Sequence, residues 1–364
     1  MKKKETPAAG REKKYYALYR RLKDDILQGV LAPGSKLPSK RALAEHLGVS
    51  VITVEYAYRQ LMDEGYAYAR ERSGYFVRPI AGLSPLPTGD REPLRFLPEE
   101  PPAAEDGDFP YSVWFRTVRK VMSEYGSRLV GRSPNKGCAR LRNAIAAYLL
   151  RYRGMYAQPE QIVVGSGSEQ LYESVVRMLG AHRIFGIETP SYGQIEAVYA
   201  GAGAVVDHLP LGPGGIPASA LNASMADVLH VTPFHSWPTG ATADAPKRYE
   251  YLAWARKKPG RLIVEDDFDS EFFMPGKPLE TLYSMDKEQR VIYLNTFSRS
   301  LAPSMRMGYM ILPPPLLELY DRKLGKYSCS VPLLEQYTLA EFIAAGAFEQ
   351  HLNRRRRRLA DQKG

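Results

Sequence analysis

The 364-residue sequence predicts an α/β protein with a small, mainly helical N-terminal domain and a larger domain around a mostly parallel sheet. Helix patterns followed by a hairpin pattern occupy residues 37–76. A proline-rich stretch then separates them from the rest of the chain. Beyond it, short runs of valine and isoleucine alternate with helical segments, which is typical of parallel strands covered on both faces.

The composition favours a folded protein of at least two domains and excludes several classes. Hydrophobic residues make up 44% of the chain, which is ample for a large core. No apolar run approaches the about 18 residues of a membrane-spanning helix, and no secretory signal follows the basic start. With only Cys138 and Cys329, neither a metal site nor a disulfide framework is expected. We therefore predict a cytoplasmic protein with no membrane partner.

The formal net charge of +10 is concentrated near the N-terminus. Residues 1–80 contain 16 Lys and Arg against 9 Asp and Glu, a net of +7. Such an excess fits a partner that carries phosphates, because basic side chains that neutralise phosphates release bound counterions. A basic tail at residues 1–13 that only raises solubility is the alternative, and the opening lysines supply three of these charges.

Residues 14–78 carry helix signals in a compact order. A first helix over residues 15–28 is predicted, with these side chains facing inward: Tyr16, Leu18 or Tyr19, Leu22 and Ile26. Ser39 and Ser50 are N-cap candidates for two more helices, and Gly48 can end the earlier one in left-handed backbone. The predicted inward positions of these two helices are Leu43, Ala44, Leu47, Val54, Tyr58 and Leu61.

The third helix leaves its N-terminal turn free, because residues 51–53 and Tyr56 fall outside its apolar stripe. Such a turn is what a recognition helix presents to a DNA major groove. The alternation over residues 66–72 and the turn at Gly74 then predict a two-stranded wing with basic residues near its tip.

This segment resembles the winged helix-turn-helix of GntR-type transcription regulators over roughly residues 15–77. The resemblance implies binding of double-stranded operator DNA through Ser39, Arg41, Ser50, Val51, Thr53, Arg72 and Gly74. Glu55 departs from relatives that place arginine there for a base contact, so the operator sequence does not carry over. The alternative is a small helical module that uses the same caps and core for protein contacts.

Residues 79–108 are predicted to form an extended linker, since eight prolines fall between residues 79 and 110. Residues 109–364 form the predicted large domain. Its strands are predicted at 162–164, 183–187, 204–209, 228–231, 262–265, 291–296 and 309–312, with helices at 168–179, 194–200 and 246–257. The arginine run at 354–358 is interpreted as the solvated part of a helix begun near Phe348, with a phosphate-binding tract as the alternative.

Several motifs follow the predicted strands, where ligands bind in such sheets. GSGSEQ at 165–170 opens a helix and offers backbone N–H groups to a phosphate. EDDFDSE at 265–271 is a carboxylate cluster suited to a metal or to a protonated ring nitrogen. TFSRSLAPSMRMG at 296–308 offers two further candidate phosphate ligands, Ser298 and Arg306. Together with motifs at 134–149, 188–193 and 232–240, these resemble fold-type I aminotransferases, in order and spacing.

A GntR-type reader joined by a linker to such a domain resembles the MocR/GabR family of bacterial regulators. In that family the large domain holds pyridoxal phosphate, responds to a small-molecule effector and forms a head-to-tail homodimer on two operator half-sites. The resemblance implies six cofactor contacts: the phosphate by Ser168, Glu169, Ser298 and Arg306, the ring by Tyr192 and its nitrogen by Asp266. The alternatives are Tyr192 as a core residue, Asp266 as a capping carboxylate and Arg306 in a surface ion pair.

Some positions depart from the family's pattern. Arg299 stands where the motif has the lysine that forms the imine with the cofactor, and a guanidinium offers no amine lone pair for that reaction. Phe268 replaces a tyrosine that hydrogen-bonds the cofactor, while Phe234 and Ser236 replace the usual Ser and Gln. The chain also stops where the family's small C-terminal domain would begin, so we expect a truncated large domain.

The sequence therefore predicts a DNA-binding transcription regulator whose aminotransferase-like domain lacks transaminase activity. Pyridoxal phosphate is expected to bind non-covalently through this domain, or no cofactor binds at all. The rival interpretations are a working aminotransferase and a truncated remnant that only dimerises.

Overall fold

The computed structural model describes residues 14–79, 109–268, 270–272 and 279–361. The predicted basic tail and the predicted linker, residue 79 excepted, lie outside these residues. The chain divides into two compact units, Met1–Pro102 and Ala103–Gly364. None of the helices in the described ranges combines the length and the apolar character that crossing a bilayer requires.

Within residues 14–79, the first unit contains three helices and a β-hairpin. The elements are α1 (Lys14–Leu27), α2 (Lys40–Leu47), α3 (Val51–Asp63), β1 (Ala67–Arg70) and β2 (Gly74–Val77), with the two strands antiparallel. The helices begin at the predicted caps: the Ser39 hydroxyl accepts from the amide of Ala42, and the Ser50 hydroxyl accepts from that of Thr53. Gly48 follows α2 with φ of 62°, where a residue with a side chain is strained.

One core holds this unit together. It joins inward side chains of the three helices to Ala67 and Val77 of the hairpin. Its helical members include Leu18, Tyr19, Leu22, Ile26, Leu43, Ala44, Val54, Tyr58 and Leu61. The prediction that Tyr16 faces inward is wrong, because its side chain is 42% exposed. Tyr19, one turn further along α1, fills the buried position, and the Tyr16 ring stacks on it at 5.6 Å.

The second unit is built on a seven-stranded sheet. Its strands are β3 (Ile162–Gly165), β4 (Ile184–Thr189), β5 (Val205–Pro210), β6 (Val228–Val231), β7 (Leu262–Asp266), β8 (Val291–Thr296) and β9 (Gly308–Ile311). The order across the sheet is β3-β9-β8-β7-β6-β4-β5. Strand β9 runs opposite to the other six strands, which all point in the same direction. All seven predicted strands are confirmed, with ends shifted by at most two residues.

Helices cover both faces of this sheet. They are α4 (Tyr111–Tyr125), α5 (Ala139–Tyr148), α6 (Ser168–Leu179), α7 (Gly193–Gly201), α8 (Ala218–Ala223), α9 (Ala245–Arg256), α10 (Leu282–Met285), α11 (Phe297–Ser300), α12 (Leu317–Leu324), α13 (Leu333–Ala344) and α14 (Ala347–Asp361). Along β9, Tyr309 and Ile311 pack in one core cluster and Met310 in another, as alternation along a strand requires. The arginine run lies in α14, which confirms the predicted helix there.

The parallel strands bring their carboxyl ends to one edge of the sheet. Strands β4, β6, β7 and β8 run in the same direction and are hydrogen-bonded neighbours. The loops and short helices that follow them therefore meet at this edge. We call this the ligand edge; it carries Asp266 at the end of β7 and α11 directly after β8.

Candidate functional site

The first turn of α3 exposes apolar side chains. Val51 is 40% exposed, Ile52 64% and Tyr56 51%, whereas Val54 on the opposite side is fully buried. The Ser50 and Thr53 hydroxyls lie 2.8 Å apart, so each is satisfied within the turn. This turn has the length and exposure needed to enter a DNA major groove.

Basic residues flank this turn in the sequence-predicted places. Arg41 lies exposed in the first turn of α2, next to the exposed cap Ser39. At the hairpin tip Arg72 is exposed with φ of 57°, and Gly74 has φ of 109°. A Cβ at Gly74 would lie 3.2 Å from the Lys36 side chain, so the tip is closely packed there. The first unit thus offers exposed cations on α2 and at the hairpin tip, together with an exposed helix end, and DNA readers use both.

An ion pair joins α2 to α3. The Lys40 ammonium lies 3.2 Å from the Glu55 carboxylate, and both side chains are partly exposed. Hydrogen bonding to Glu55 raises the pKa of Lys40, with burial opposing it. Glu55, which departs from the GntR pattern, therefore has its charge balanced by a neighbour.

In the second unit, Asp266 anchors a buried polar network at the ligand edge. Its side chain is 6% exposed and accepts a hydrogen bond from the Tyr172 hydroxyl of α6. His230 of β6 places Nε2 3.5 Å from the same carboxylate oxygen, and its Nδ1 lies 2.6 Å from the Tyr199 hydroxyl. Burial and the Asp266 charge raise the pKa of Tyr172 well above its ordinary value, so this hydroxyl keeps its proton.

Tyr172 also connects Asp266 to the beginning of α6. Ser168 begins α6 one helical turn before Tyr172. Sequence reasoning named Ser168 and Asp266 but missed Tyr172 and His230. His230 had a visible signal, since it is the only polar residue in the apolar strand VLHV; Tyr172 had only its spacing of four from Ser168.

The N-terminus of α6 meets the Arg306 guanidinium. Arg306 Nη2 lies 3.1 Å from the Glu169 carboxylate, and both side chains are about half exposed. A Cβ at Gly167, which has φ of 94°, would lie 3.2 Å from the same nitrogen. Arg306 thus forms a surface ion pair, which was the alternative interpretation of this residue. The pair lies at the start of α6, where backbone N–H groups have no intrahelical acceptor.

Ser298 and Arg299 lie on α11, one strand away from Asp266. Ser298 is half-buried and Arg299 exposed. The Arg299 carbonyl accepts a 2.5 Å hydrogen bond from Arg355 of α14. Residue 299 therefore belongs to the ligand edge, while its backbone is tied to the arginine-rich helix.

Alternation along β7 separates the first carboxylates of the EDDFDSE run, because Glu265 and Asp266 face opposite sides of the sheet. Glu265 accepts hydrogen bonds of 2.8 Å from the amides of Leu282 and Tyr283, and burial raises its pKa to about 8. Asp267 pairs with the buried Arg153 at 2.6 Å. Among the described residues, no group of three or more His, Cys, Asp or Glu side chains could hold a metal ion.

The loop after β6 is tied to the end of β4. Glu188 accepts hydrogen bonds from the Thr232 amide at 3.1 Å and the Ser236 hydroxyl at 3.0 Å. Burial raises the pKa of Glu188 to about 8. Phe234 in the same loop is buried under the Arg248 guanidinium, 5.4 Å from its ring centre. The Phe234 and Ser236 replacements are therefore built into the packing of this loop.

These residues fit part of pyridoxal phosphate. A phosphate at the start of α6 would meet free backbone N–H groups and Arg306. Asp266 is buried next to His230 Nε2, which has no hydrogen-bond partner in the described structure, so the acid stands in a pocket of polar atoms. Tyr192 precedes α7 and is 41% exposed, so it is not a core residue and is free to stack. The guanidinium of Arg299, in contrast, has no amine lone pair that could form an imine with the aldehyde of the cofactor.

Two family models match the chain. "Bacterial regulatory proteins, gntR family" matches residues 14–77, and "Aminotransferase class I and II" matches residues 107–363. The first covers the helices and hairpin with the exposed turn, and the second covers the sheet with the ligand edge.

Relatives with both parts are regulators by name. The chain is 33% identical over 352 residues to the uncharacterized HTH-type transcriptional regulator YdeL of Bacillus subtilis, covering 94% of this chain and 76% of that one. It is 32% identical over 369 residues to the protein named "Probable rhizopine catabolism regulatory protein MocR" of Rhizobium meliloti, covering 95% and 75%.

A solved structure shares the fold of the second unit. The kynurenine aminotransferase of Pyrococcus horikoshii, solved in complex with PMP, superposes with a TM-score of 0.62 at 25% identity. The match covers 69% of this chain and 64% of that chain, so this chain spans less than two thirds of that protein. With both family models and both regulators in agreement, the chain belongs to the family of HTH-type transcriptional regulators that join a gntR-family domain to an aminotransferase class I and II domain.

Proposed function

We propose that this chain binds double-stranded operator DNA through α2, α3 and the hairpin, and regulates transcription from that site. The observation that carries the proposal is the exposed first turn of α3, with Arg41 ahead of it and Arg72 at the hairpin tip. An exposed turn alone would fit a protein partner equally well. The flanking cations favour DNA, because phosphate contacts position a reader while the helix end meets the bases.

DNA binding by the full chain tests this proposal. We expect binding of a duplex selected from a random pool, with affinity falling steeply between about 50 and 200 mM salt. Arg41→Ala and Arg72→Ala should each weaken binding and lower the salt slope by about one. Arg177→Ala is the matched control, since Arg177 is an exposed cation of α6 paired with Glu173 in the second unit. No binding at low salt would contradict the proposal.

The second unit is proposed to bind pyridoxal phosphate without a covalent bond. The backbone N–H groups of Ser168 and Glu169 at the start of α6, together with Ser298 and Arg306, would hold its phosphate. Tyr192 would contact its ring and Asp266 its nitrogen. The hydrogen bond from Tyr172 orients the Asp266 carboxylate, which would face the ring nitrogen of the cofactor. The cofactor supplies a reactive aldehyde when it binds, but residue 299 provides no amine for it.

Transamination is therefore excluded from the proposal. The aminotransferase reaction starts from a lysine amine, and the pKa of a guanidinium stays above about 12 in proteins. A working aminotransferase would need another amine at the ligand edge. We assign this unit instead to effector binding and to formation of a homodimer that places two readers on two half-sites.

A further inference from the structure

We propose that Val51 and Ile52 recognise thymine methyl groups, so that each half-site carries A·T pairs where the first turn of α3 enters the major groove. This inference rests on the DNA binding proposed above and concerns which bases are read. It follows from what this turn exposes and from what its polar groups already bind.

The exposed side chains of the turn are apolar. Ile52 is 64% exposed and Val51 40%, while the core of this unit is supplied by the opposite face of α3. Neither side chain is needed for packing within the described unit. Their exposed carbons gain by leaving water, and a surface that meets DNA offers them that burial.

The polar groups of the turn already have partners within this unit. The Ser50 and Thr53 hydroxyls bond to each other at 2.8 Å, and Ser50 also accepts from the Thr53 amide. Glu55 could accept from a cytosine amino group, but its carboxylate is paired with Lys40 at 3.2 Å. Breaking that pair next to phosphates would leave an unbalanced anion in a negative field.

The usual readers of guanine and adenine are missing from the sequence of this turn. Residues 50–56 read SVITVEY and contain no Arg, Lys, Asn or Gln, the side chains that pair with purine edges. Apolar contact is what remains. The C5-methyl of thymine is the apolar group that a base pair presents in the major groove.

Tyr56 extends the apolar surface at Ile52. It lies four residues further along α3, on the same side of the helix, and is 51% exposed. Its ring packs 5.7 Å from that of Tyr15 and lies 5.8 Å from the Arg59 guanidinium. These contacts order the Tyr56 ring, which adds apolar surface on the same side of α3 as Ile52.

Replacing thymine with deoxyuridine tests the inference, because it removes the methyl and keeps base pairing. The full chain first selects a duplex from a random pool, and each thymine of the half-site is then replaced singly. We expect at least one position per half-site to weaken binding about fourfold, the effect of burying one methyl group. Ile52→Ala, or Val51→Ala together with it, should bind more weakly and lose this sensitivity.

The control variant is Arg72→Ala, which should lower affinity while keeping the fourfold effect of deoxyuridine. Val51 and Ile52 are both exposed, so replacing them with alanine should leave the fold of the unit intact. Binding that ignores deoxyuridine at every position, or Ile52→Ala retaining the methyl effect, would overturn the inference alone. Failure to select any duplex would overturn the proposed DNA binding and this inference with it.

Discussion

The proposal that this chain binds pyridoxal phosphate without an imine rests on residue 299. It stands on the short helix α11, at the ligand edge beside the candidate phosphate ligand Ser298. A guanidinium there can contact a phosphate or carboxylate through its planar fork, yet it cannot condense with an aldehyde. A single substitution at this position therefore tests how much of the cofactor cradle is intact.

Arg299→Lys is expected to convert bound pyridoxal phosphate into a protein imine. The native chain should show the spectrum of free aldehyde or hydrate, and borohydride should leave residue 299 unmodified. The variant should turn yellow, and peptide mass mapping after reduction should find the cofactor on residue 299. Arg355→Lys is the matched control, because Arg355 contacts the backbone of residue 299 but stands on α14. An adduct on a native lysine of this unit would contradict the absence of an imine.

Single residues also mark the limit of what the sequence predicts. Motif order was enough to bring Asp266, Ser298 and Arg299 to one edge of the sheet. Tyr172 was missed because its bond to Asp266 joins residues 94 positions apart, and no local pattern encodes such a pair. Tyr16 was placed wrongly because two tyrosines of α1 compete for one buried position.

At the scale of elements, caps and turns were predictable because their causes are local. Ser39, Gly48 and Ser50 each act within about one helical turn, so the ends of α2 and α3 follow from neighbouring residues. In the EDDFDSE run, Glu265 and Asp266 have different partners in the fold, since a strand alternates its side chains between two faces. The hydrogen bond from the Ser236 hydroxyl to Glu188, which ties the loop after β6 to β4, could not be predicted either, because the two residues are 48 positions apart.

That tie predicts a pH dependence. The pKa of Glu188 rises from an ordinary carboxyl value to about 8 in the folded chain, so folding retains a proton that the unfolded chain releases. Its contribution to stability is full below about pH 4.5, declines as the pH rises, and is lost above about 8. The free energy of unfolding, measured with urea at several pH values, should therefore fall less steeply with pH in Glu188→Gln. The expected difference in slope is up to about 1.4 kcal/mol per pH unit. Glu160→Gln, at an exposed carboxylate of the same unit, is the matched control for this slope.

At the scale of the molecule, the strand pattern gave the sheet but not its order. Valine- and isoleucine-rich runs predicted seven strands, and their spacing by helices predicted parallel neighbours. The insertion of β9 between β3 and β8, antiparallel to both, depends on pairings such as Ile162 with Ile311. Pairings across about 150 residues are set by packing of the whole unit, which a local pattern does not contain.

The whole chain is expected to sediment as a dimer at micromolar concentration. A winged module offers one short reading helix, and stable operator complexes commonly use two half-sites. A duplex with two half-sites should therefore bind much more tightly than a duplex with one, measured at the same salt. A monomer throughout the micromolar range, with equal affinity for both duplexes, would contradict the dimer.

In the second unit, the Glu169 carboxylate competes with any bound anion for the Arg306 guanidinium. Any phosphate or carboxylate that takes the guanidinium must first displace a side chain that is tethered beside it. A half-exposed pair of this kind is worth about 1 kcal/mol at most, so the tether raises the half-saturating ligand concentration by up to about fivefold. An anion that binds at Arg306 therefore needs a concentration up to about fivefold higher than it would need without Glu169.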